Sequence, residues 1–424
     1  MNIVHNGTFF NVGQGLFHYG SIASGADRAN YIYDCGASRR SRLLNTCIDE
    51  CVEMIPGNEK VLDVLILSHF HWDHISGLRR LLSRLTRIKK VIMPYFTPAE
   101  RAFFMATTMD DVDYLENPSR WYPSFLRGPV TYLLSTGKIE SINLLVGSGV
   151  GENDSDYGKE KYHDSHQSHI KDIKNLPPQL REQLLKFETS VQGRHAWDVD
   201  ERTTFLKADG ILRLNSYWHF RFFSWCPSMD KLADLHRRFM AIKGSQEMIT
   251  ILRDDVALRA IRSAYQGVFG IEYMNDSSLT MFAGIRVSDL VKEALRLEYC
   301  CSQEISTLHR MERAIHHPDL AGILFTGDFP LSDRDMWRRF INTMGLAEGR
   351  NDVVVYQVPH HGSRQNWSRE QSGVSTQPIF VISASKNNSY GHPDASVLHS
   401  IAAAGRQTVW VNQQNRLSYE LLFQ

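Results

Sequence analysis

The sequence predicts an α/β fold, and three observations support this prediction. Short apolar segments typical of buried strands recur at 61–67, 321–326, 353–358 and 379–384. A segment with the helical spacing of apolar residues, 75–85, follows the first of them. Each apolar segment is followed by a turn that carries aspartate or histidine. Continuous apolar strands are usually covered on both faces, so the pattern predicts a sheet with layers on either side and polar groups along one rim.

The first part of the chain predicts strands, a helix and then a polar segment. Residues 30–34 alternate in hydrophobicity and predict a strand that ends at an aspartate before a turn. Residues 61–67, 75–85 and 91–96 predict a buried strand, a helix with a basic outer face, and another strand. Residues 97–215 are more charged and less periodic, and we predict a large insertion there.

The second part of the chain returns to a regular pattern. Residues 216–284 predict a strand, two helices and a strand. Residues 285–318 have the pattern of a helical segment and predict a second, smaller insertion. After three further apolar strands, residues 408–411 and 417–423 predict a closing hairpin across a polar turn.

Composition and charge restrict the class of protein. The chain has 424 residues, 42% of them hydrophobic, so a large core is expected and disorder is not. The 47 basic and 47 acidic residues balance, which argues against a surface coated with positive charge but leaves a local basic cleft open. The six cysteines show no CxxC spacing and predict free thiols in a reducing compartment. No signal-peptide pattern or long apolar run is present, so we expect a cytoplasmic protein without a membrane span.

The segment LSHFHWDHISGL, residues 67–78, concentrates metal-binding side chains directly after a buried strand. His69 and His71 are two residues apart and can point to the same side. Asp73 and His74 follow in a tight turn before the helix. Imidazole suits zinc, and carboxylates also accept harder metals. Four such side chains are more ligands than one catalytic metal ion uses, so we predict two divalent metal ions about 3.5–4 Å apart. We expect the metal to be zinc, or manganese if carboxylates dominate among the ligands.

The same segment resembles the signature of the metallo-β-lactamase-fold hydrolases. That resemblance implies a four-layer αββα sandwich with a dinuclear metal site on one edge. It divides the chain into a first half of the fold at 1–96, an insertion at 97–215, and a second half at 216–424 with a helical insertion at about 285–318. Asp34 matches the family aspartate that orients the site, Asp328 the carboxylate that bridges two metals, and His392 the last histidine.

A finer resemblance is to the hydrolase domain of the ComEC DNA-uptake proteins and its soluble relatives. Five sequence blocks occur here in the order of that group: NVGQG (11–15), NDSS (275–278), TGD (326–328), PHHGS (359–363) and NSYGHP (388–393). The third-motif histidine of the wider fold is absent, and Asn275 stands in its place. His360 or His361 could supply the missing ligand. Alternatively, the first metal is held more weakly. Because adjacent residues cannot easily face one metal, we expect only one of the two histidines at the site, and we favour His361 beside His69 and His71.

The expected site therefore has three groups of residues. The metal ligands would be His69, His71, Asp73, His74, Asp328, His361 and His392. The catalytic residues would be Asp73, Asp34 and His360, with His360 contacting the substrate. Ser363, Asn388 and Asn275 would donate hydrogen bonds to the substrate, although turn-forming roles for Ser363 and Asn388 are equally open.

Two smaller signals allow more than one interpretation. A basic run lies beside the predicted helix: Arg79, Arg80, Arg84, Arg87, Lys89 and Lys90. It predicts either a solvated helix face or a track for a phosphate backbone. The histidines at 163, 166 and 169 lie in a polar stretch with few apolar anchors, which favours a solvated loop over a metal site.

The ComEC-like resemblance implies a two-metal hydrolase that cleaves a phosphodiester, in a nucleic acid or a nucleotide, by a metal-activated hydroxide. The alternatives are a hydrolase of a small ester, lactone or phosphocholine-type substrate, and a non-catalytic partner protein that keeps the fold. A nuclease should have a basic track leading from the site, whereas a small-molecule enzyme should have a closed apolar pocket built from the insertion. The sequence identifies no protein partner.

Overall fold

The computed structural model describes residues 2–38, 42–109, 120–147, 178–192, 202–208, 210–225, 227–270, 278–286, 294–301, 309–314, 320–346, 351–375 and 377–424. Within these ranges the strands are β1 (Ile3–Phe9), β2 (Phe17–Ser24), β3 (Asp27–Cys35), β4 (Val61–Ile66), β5 (Arg87–Pro94), β6 (Ile139–Val146), β7 (Thr203–Lys207), β8 (Ile211–Arg213), β9 (His219–Phe223), β10 (Thr280–Arg286), β11 (Ala294–Cys300), β12 (His309–Ala314), β13 (Leu320–Phe325), β14 (Asn351–Gln357), β15 (Ile379–Ser383), β16 (Gln407–Val411) and β17 (Leu417–Phe423).

The helices in the same ranges are α1 (Arg42–Met54), α2 (Trp72–Ile75), α3 (Leu78–Arg84), α4 (Pro98–Thr108), α5 (Trp121–Arg127), α6 (Pro129–Leu134), α7 (Pro178–Gln192), α8 (Met229–Lys243), α9 (Met248–Ile251), α10 (Asp255–Phe269), α11 (Arg334–Met344) and α12 (Ala395–Ala403). None of these helices is long and apolar enough to cross a membrane.

Two sheets contain all of these strands. The first has the order β12-β11-β17-β1-β2-β3-β4-β5-β6-β7, and the second has the order β16-β15-β14-β13-β10-β9-β8. In the first sheet the strands from β3 to β7 are parallel, and in the second the strands from β13 to β16 are parallel. These parallel strands are largely buried, as their apolar sequences predicted.

The two sheets pack face to face, and helices cover both outer faces. Tyr33 of β3 and Phe325 of β13 stack with their ring centroids 4.7 Å apart. The Tyr33 hydroxyl also donates to the carbonyl oxygen of Leu279, at 2.6 Å. One apolar cluster joins the outer face of the first sheet to helices that include α1, α3, α4 and α10, and another joins the second sheet to α11 and α12. The predicted α/β fold with four layers is confirmed.

The predicted insertion at 97–215 contributes to the sheet itself. β6 and β7 extend the first sheet beyond β5 in parallel register. Residues 97–215 therefore contribute two strands to the sandwich, and the first sheet continues beyond residue 97. The weak periodicity of these residues concealed two strands whose side chains are mostly buried. The division of the chain into domains stays a prediction.

Two predicted elements near the end of the chain are wrong. We predicted a helical segment at 285–318. The residues of this range that the structure describes instead include the antiparallel strands β11 and β12. Buried and part-buried residues alternate along β11, which is the two-residue period of a strand. The predicted closing hairpin does not form either, because β16 pairs with β15 in the second sheet whereas β17 lies between β1 and β11 in the first. The intervening turn carries the chain from one sheet to the other.

One edge of the sandwich collects the loops that carry the polar motifs. The carboxyl ends of β3 and β4 meet there because these strands are parallel, and so do the carboxyl ends of β13, β14 and β15. Backbone hydrogen bonds tie the loops together: Leu279 donates to the carbonyl of Ser68 at 2.7 Å, and His360 donates to that of Gly327 at 3.0 Å. Residues from distant parts of the chain are thus held on a rigid rim.

Candidate metal centre

The HxHxDH loop follows β4 and is held against the first residues of the chain. The backbone of Leu16 donates to the carbonyl of Asp73 at 3.3 Å. A Cβ atom on Gly15 would lie 2.6 Å from the carbonyl oxygen of Asp73, and one on Gly36 would lie 2.5 Å from the same oxygen. Only glycine fits such close approaches, which gives Gly15 of the NVGQG block a structural role beside the metal-binding loop.

Asp34 is fully buried and accepts three hydrogen bonds from this loop. The Ser68 backbone N–H donates to Oδ1 at 2.7 Å, and the Ser68 hydroxyl donates to Oδ2 at 2.6 Å. Nδ1 of His74 lies 2.7 Å from Oδ2, so a proton on Nδ1 is donated to the carboxylate and Nε2 is left to face the site. Asp34 has a positive φ of 55°, which directs its carboxylate across the strand end. These contacts fit the orienting role expected for Asp34.

His69 is oriented by two hydroxyl groups that the sequence did not indicate. Its Nδ1 lies 3.0 Å from Ser68 Oγ and 3.3 Å from Ser278 Oγ. Ser278 Oγ also accepts from the backbone N–H of Asp328, at 3.1 Å. This last residue of the NDSS block therefore links two expected ligands. Asn275 lies outside the described residues.

Asp328 lies between the histidines of the two halves of the chain. Its Oδ1 is 3.1 Å from Nε2 of His74, and its Oδ2 is 3.5 Å from Nε2 of His69. The turn before it is held by Gln357, whose Oε1 accepts the backbone N–H groups of Thr326 and Gly327 at 2.8 Å each. The carboxylate thus offers one oxygen to each histidine, as a bridging ligand must.

His360 and His361 are adjacent in sequence, and both face the Asp328 carboxylate. Both adopt left-handed backbone conformations, with φ of 47° and 56°. Such a conformation costs about 1–3 kcal/mol in a non-glycine residue and is found mainly at functional sites. Nε2 of His360 lies 3.7 Å from Asp328 Oδ2, and Nε2 of His361 lies 3.9 Å from Oδ1. The turn brings the two rings to the two oxygens of one carboxylate.

The structure groups His361 with Asp73 and His74 rather than with His69 and His71. Nε2 of His361 lies 3.1 Å from Asp73 Oδ2, and its Nδ1 donates to the carbonyl of Ser383 at 2.6 Å. Our expectation that His361 completes the pair His69 and His71 is therefore not what the contacts show. His360, not His361, faces the same oxygen of Asp328 as His69, namely Oδ2, and its Nδ1 is held by Oδ1 of Asn366 at 2.8 Å.

The other expected residues lie around this centre. The ring of His71 is 4.8 Å from that of His69, and the ring of His392 is 5.3 Å from that of His360. Asn388 accepts from the backbone N–H groups of Tyr390 and His392, at 3.1 and 3.0 Å. Ser363 accepts from the N–H of Gln365 at 3.3 Å. Asn388 and Ser363 thus have turn-forming contacts, and their contact with a substrate stays a prediction.

The pKa values of the side chains at the centre depend on two opposing effects: burial, which disfavours the charged form, and nearby opposite charges, which favour it. Burial lowers the pKa of His74 and His361, but the neighbouring carboxylates outweigh it and raise both values above that of ordinary histidine. Burial raises the pKa of Asp73 and Asp328, but His74 and the other histidines outweigh it and lower both. Burial and the neighbouring histidines lower the pKa of His71 to about 3.

The last of the histidines is also neutral at pH 7. Burial and the proximity of His360 and His361 lower the pKa of His392 to about 4. Its Nδ1 is buried and has no hydrogen-bond partner within the described residues. A neutral imidazole with a free nitrogen is the form of histidine that binds a metal.

The side chains present fit divalent metal ions. Two groups have all their ligand atoms within 4.8 Å of one another: His69, His74 and Asp328, and Asp73, His74 and His361. Nε2 of His69, Nε2 of His74 and Oδ1 of Asp328 are buried without a hydrogen-bond partner in the part of the chain described. Buried polar atoms are almost always satisfied, so these three atoms point to a missing ligand at this position.

Residues 27–134 match the model of the metallo-beta-lactamase superfamily. The match includes Asp34 and the whole HxHxDH loop, whereas Asp328, His361 and His392 lie beyond it. Members of this superfamily are generally metal-dependent hydrolases, and the His/Asp groups agree with that chemistry. A search of the curated proteins found no match to the chain.

The last part of the basic run lies away from this candidate metal centre. Arg87 and Lys89 are at the amino end of β5, whereas the HxHxDH loop follows the carboxyl end of the parallel strand β4. Four of the six side chains form ion pairs: Arg80 and Arg84 with Asp49, Arg87 with Glu140, and Lys89 with Asp63. Paired charges at the far end of the sheet favour the solvated-face interpretation over a phosphate track.

Proposed function

We propose that the protein is a two-metal hydrolase that cleaves a phosphodiester bond in a nucleic acid or a nucleotide. The proposal of two metals rests on the position of Asp328, whose two carboxylate oxygens face Nε2 of His74 and Nε2 of His69. Both of these nitrogens are buried and lack a hydrogen-bond partner within the described residues. We propose zinc as the metal, with manganese as the alternative because two carboxylates contribute.

Each half of the chain supplies part of both proposed metal sites. His69, His71 and Asp328 would hold one ion, and Asp73, His74, His361 and the shared Asp328 would hold the other. When bound, the two ions supply an activated water and neutralise the charge that develops on the phosphate oxygens. Asp34 fixes the tautomer of His74, and the Ser383 carbonyl does the same for His361, so that each presents Nε2 to the site.

The open side of the centre carries groups that can contact a phosphate. His360 is only part-buried, and its Nδ1 is held by Asn366, so its Nε2 faces both Asp328 and the entrance. His392 lies beside it. Next to His392, the ring of Tyr390 stacks at 6.0 Å and is 57% exposed, which leaves an aromatic surface at the entrance on which a base could stack.

The phosphodiester assignment rests mainly on the ComEC-like sequence blocks. Residues of all five blocks take part in this one rim: Gly15, Ser278, Asp328 and the PHHGS and NSYGHP loops. Their shared position supports an inference that they serve one reaction. The basic run adds no support, because four of its six side chains form ion pairs and its last three residues lie at the amino end of β5.

One observation favours a second candidate, a hydrolase of small esters or lactones. Phe104 of α4 places its ring 5.0 Å from that of His71 and 6.4 Å from that of His69. Phe70 and Phe96 pack behind it. An apolar wall beside the metal ligands is what a small apolar substrate would use.

The test is a panel of substrates offered to the zinc-loaded and manganese-loaded protein. It contains single-stranded DNA, duplex DNA, RNA, a cyclic dinucleotide, a chromogenic phosphodiester, a lactone and a β-lactam. We expect cleavage of phosphodiesters that is lost in Asp328→Asn and kept in Arg369→Gln, since Arg369 is exposed and is not among the candidate ligands. Cleavage of the lactone or the β-lactam alone would overturn the phosphodiester assignment, and the absence of bound metal would overturn the two-metal assignment.

A further inference from the structure

A group of basic side chains lies on the outer face of the second sheet, where β8, β9 and β10 pair. Arg213 is directly opposite His219, and His219 is directly opposite Gly284. Residues opposite one another share a face of the sheet, and so do residues two apart in one strand. Arg221 and Arg286 therefore lie on this same face, next to His219. We call Arg213, His219, Arg221 and Arg286 the outer-face basic cluster.

The arginines of the cluster differ in what they contact. Arg221 is buried, and its Nη1 donates to the carbonyl of Met344 at the carboxyl end of α11, at 3.3 Å. A cation there stabilises the helix end, so Arg221 has a structural role. Arg213 and Arg286 are exposed, and neither forms an ion pair within the described residues. Like charges on neighbouring strands repel one another unless an anion lies between them.

His219 is a buried histidine next to the two exposed arginines. It is only 7% exposed, and its Nε2 has no hydrogen-bond partner in the part of the chain that is described. Burial, Arg221, Arg286 and Arg213 together hold the pKa of His219 well below its ordinary value. A buried imidazole that has three arginines around it, and whose Nε2 has no partner among the described residues, is an unfavourable arrangement in the absence of a ligand.

We propose that the outer-face basic cluster binds an oxyanion of the size of a phosphate group. Arg213 and Arg286 would form charge-assisted hydrogen bonds to it from the solvent side, and His219 would contact it from below. The site is separate from the metal centre. β10 begins next to Ser278 at the metal-binding rim, and Arg286 is the last residue of that strand. Seven strand residues span about 20 Å, so the cluster lies at the opposite end of the sheet.

The experiment follows His219 directly while inorganic phosphate is added to the full-length, metal-free protein. Histidine rings labelled with ¹³C at Cε1 give one signal each by NMR, and His219→Gln identifies the signal of His219 by its loss. We expect that signal to shift in a saturable manner with phosphate. We also expect the pKa of His219 to rise when phosphate is bound, because an anion favours the imidazolium form.

Two variants decide whether the cluster is responsible. Arg213→Gln combined with Arg286→Gln should weaken phosphate binding at His219 by about tenfold or more, because charge-assisted hydrogen bonds are the strong ones. Arg369→Gln is the matched control, since Arg369 is also exposed and forms no ion pair within the described residues; binding should be unchanged. The same shift on adding chloride at equal ionic strength, or an equal affinity in the double variant, would overturn the proposal.

Discussion

Nε2 of His361 and Oδ2 of Asp73 lie 3.1 Å apart, although 288 positions of the sequence separate the two residues. Asp73 follows β4 of the first sheet, and His361 follows β14 of the second. The contact therefore joins the two sheets at their common rim. It also groups His361 with Asp73 and His74 as candidate ligands, whereas we expected it beside His69 and His71 from the sequence.

His361→Ala should lose one of two bound metals. The imidazole is held by the Ser383 carbonyl and aimed at Asp73, so no neighbouring side chain can replace it. His360→Ala should keep both metals and lower turnover, because the nearest carboxylate oxygen to Nε2 of His360 is 3.7 Å away, against 3.1 Å for His361, and the His360 side chain is more exposed. Elemental analysis of the two variants beside the wild type measures this. Two full equivalents of metal in His361→Ala would rule out its role as a ligand.

Zinc should stabilise the protein more at high pH than at low pH. Burial lowers the pKa of His74 and His361, but the carboxylates around them raise both values above that of free histidine. In the metal-free protein, a histidine whose pKa is raised by folding stabilises the folded state when it is protonated. This contribution is fully present below about pH 6.5 and is lost as the pH rises through the pKa of the histidine in the folded protein. Metal binding needs the neutral rings and strengthens over the same range. The increase in Tm on adding zinc should therefore be larger at pH 8 than at pH 6, and the reverse order would contradict this account.

Asp73→Ala should abolish hydrolysis and leave the fold largely intact. Asp73 is part-buried at the rim, and its side chain contacts His361 rather than the core. Loss of a metal ligand costs far more in rate than in stability. The measurement is turnover together with circular dichroism of the same preparation. Retention of more than roughly a tenth of the wild-type rate, with metals in place, would show that Asp73 has another role.

Glu188→Ala should destabilise the fold by about 3 kcal/mol or more, because it leaves the charge of Arg101 buried and unpaired. Arg101 donates to both carboxylate oxygens of Glu188, at 2.7 and 2.8 Å, and both side chains are almost fully buried. Glu182→Ala is the control on the same helix, since its ion pair with Lys186 is exposed and should change little. Urea unfolding of both variants measures the difference. An equal effect of the two substitutions would contradict the argument.

A deletion within the predicted insertion should change substrate preference and keep the metals. Removing all of 97–215 would delete β6 and β7 from the first sheet, so that experiment would destroy the fold. Replacing residues 150–175 with a short Gly/Ser linker leaves β6 and α7 in place. The measurements are metal content and relative kcat/KM for two substrates. Loss of metal on this deletion would show that a histidine such as His163 belongs to the site.

The sequence predicted that the candidate ligands lie close together, but it did not predict how they are grouped. His69, His74 and Asp328 follow buried strands, and strand ends on one rim must meet, so their proximity was predictable. The positions of His360 and His361 were not, because they depend on two consecutive left-handed residues that no sequence pattern indicates. Ser68, Gln357 and Asn366 were missed for a different reason: a hydroxyl or amide that orients a ligand has no distinctive spacing.

The strand errors have a physical cause as well. β11 is short and carries charged residues on its part-buried side, and its alternation was obscured by the charged residues around it. β6 and β7 lie in a polar region whose average composition hid two buried segments. The turn between β16 and β17 is short enough for a hairpin, and only packing between the sheets decides that the chain crosses over instead.

The position of β17 has a consequence for how the protein is made. β17 (Leu417–Phe423) lies inside the first sheet, between β1 and β11. All strands of this sheet can therefore pair only after residue 423 has been synthesised. Asp328 and His361 likewise emerge long after the HxHxDH loop. A nascent chain therefore presents the early histidines before Asp328 and His361 have been synthesised, and we expect it to bind metal weakly until they are. Two separately expressed halves, divided between β7 and β8, should acquire metal only when they are produced together.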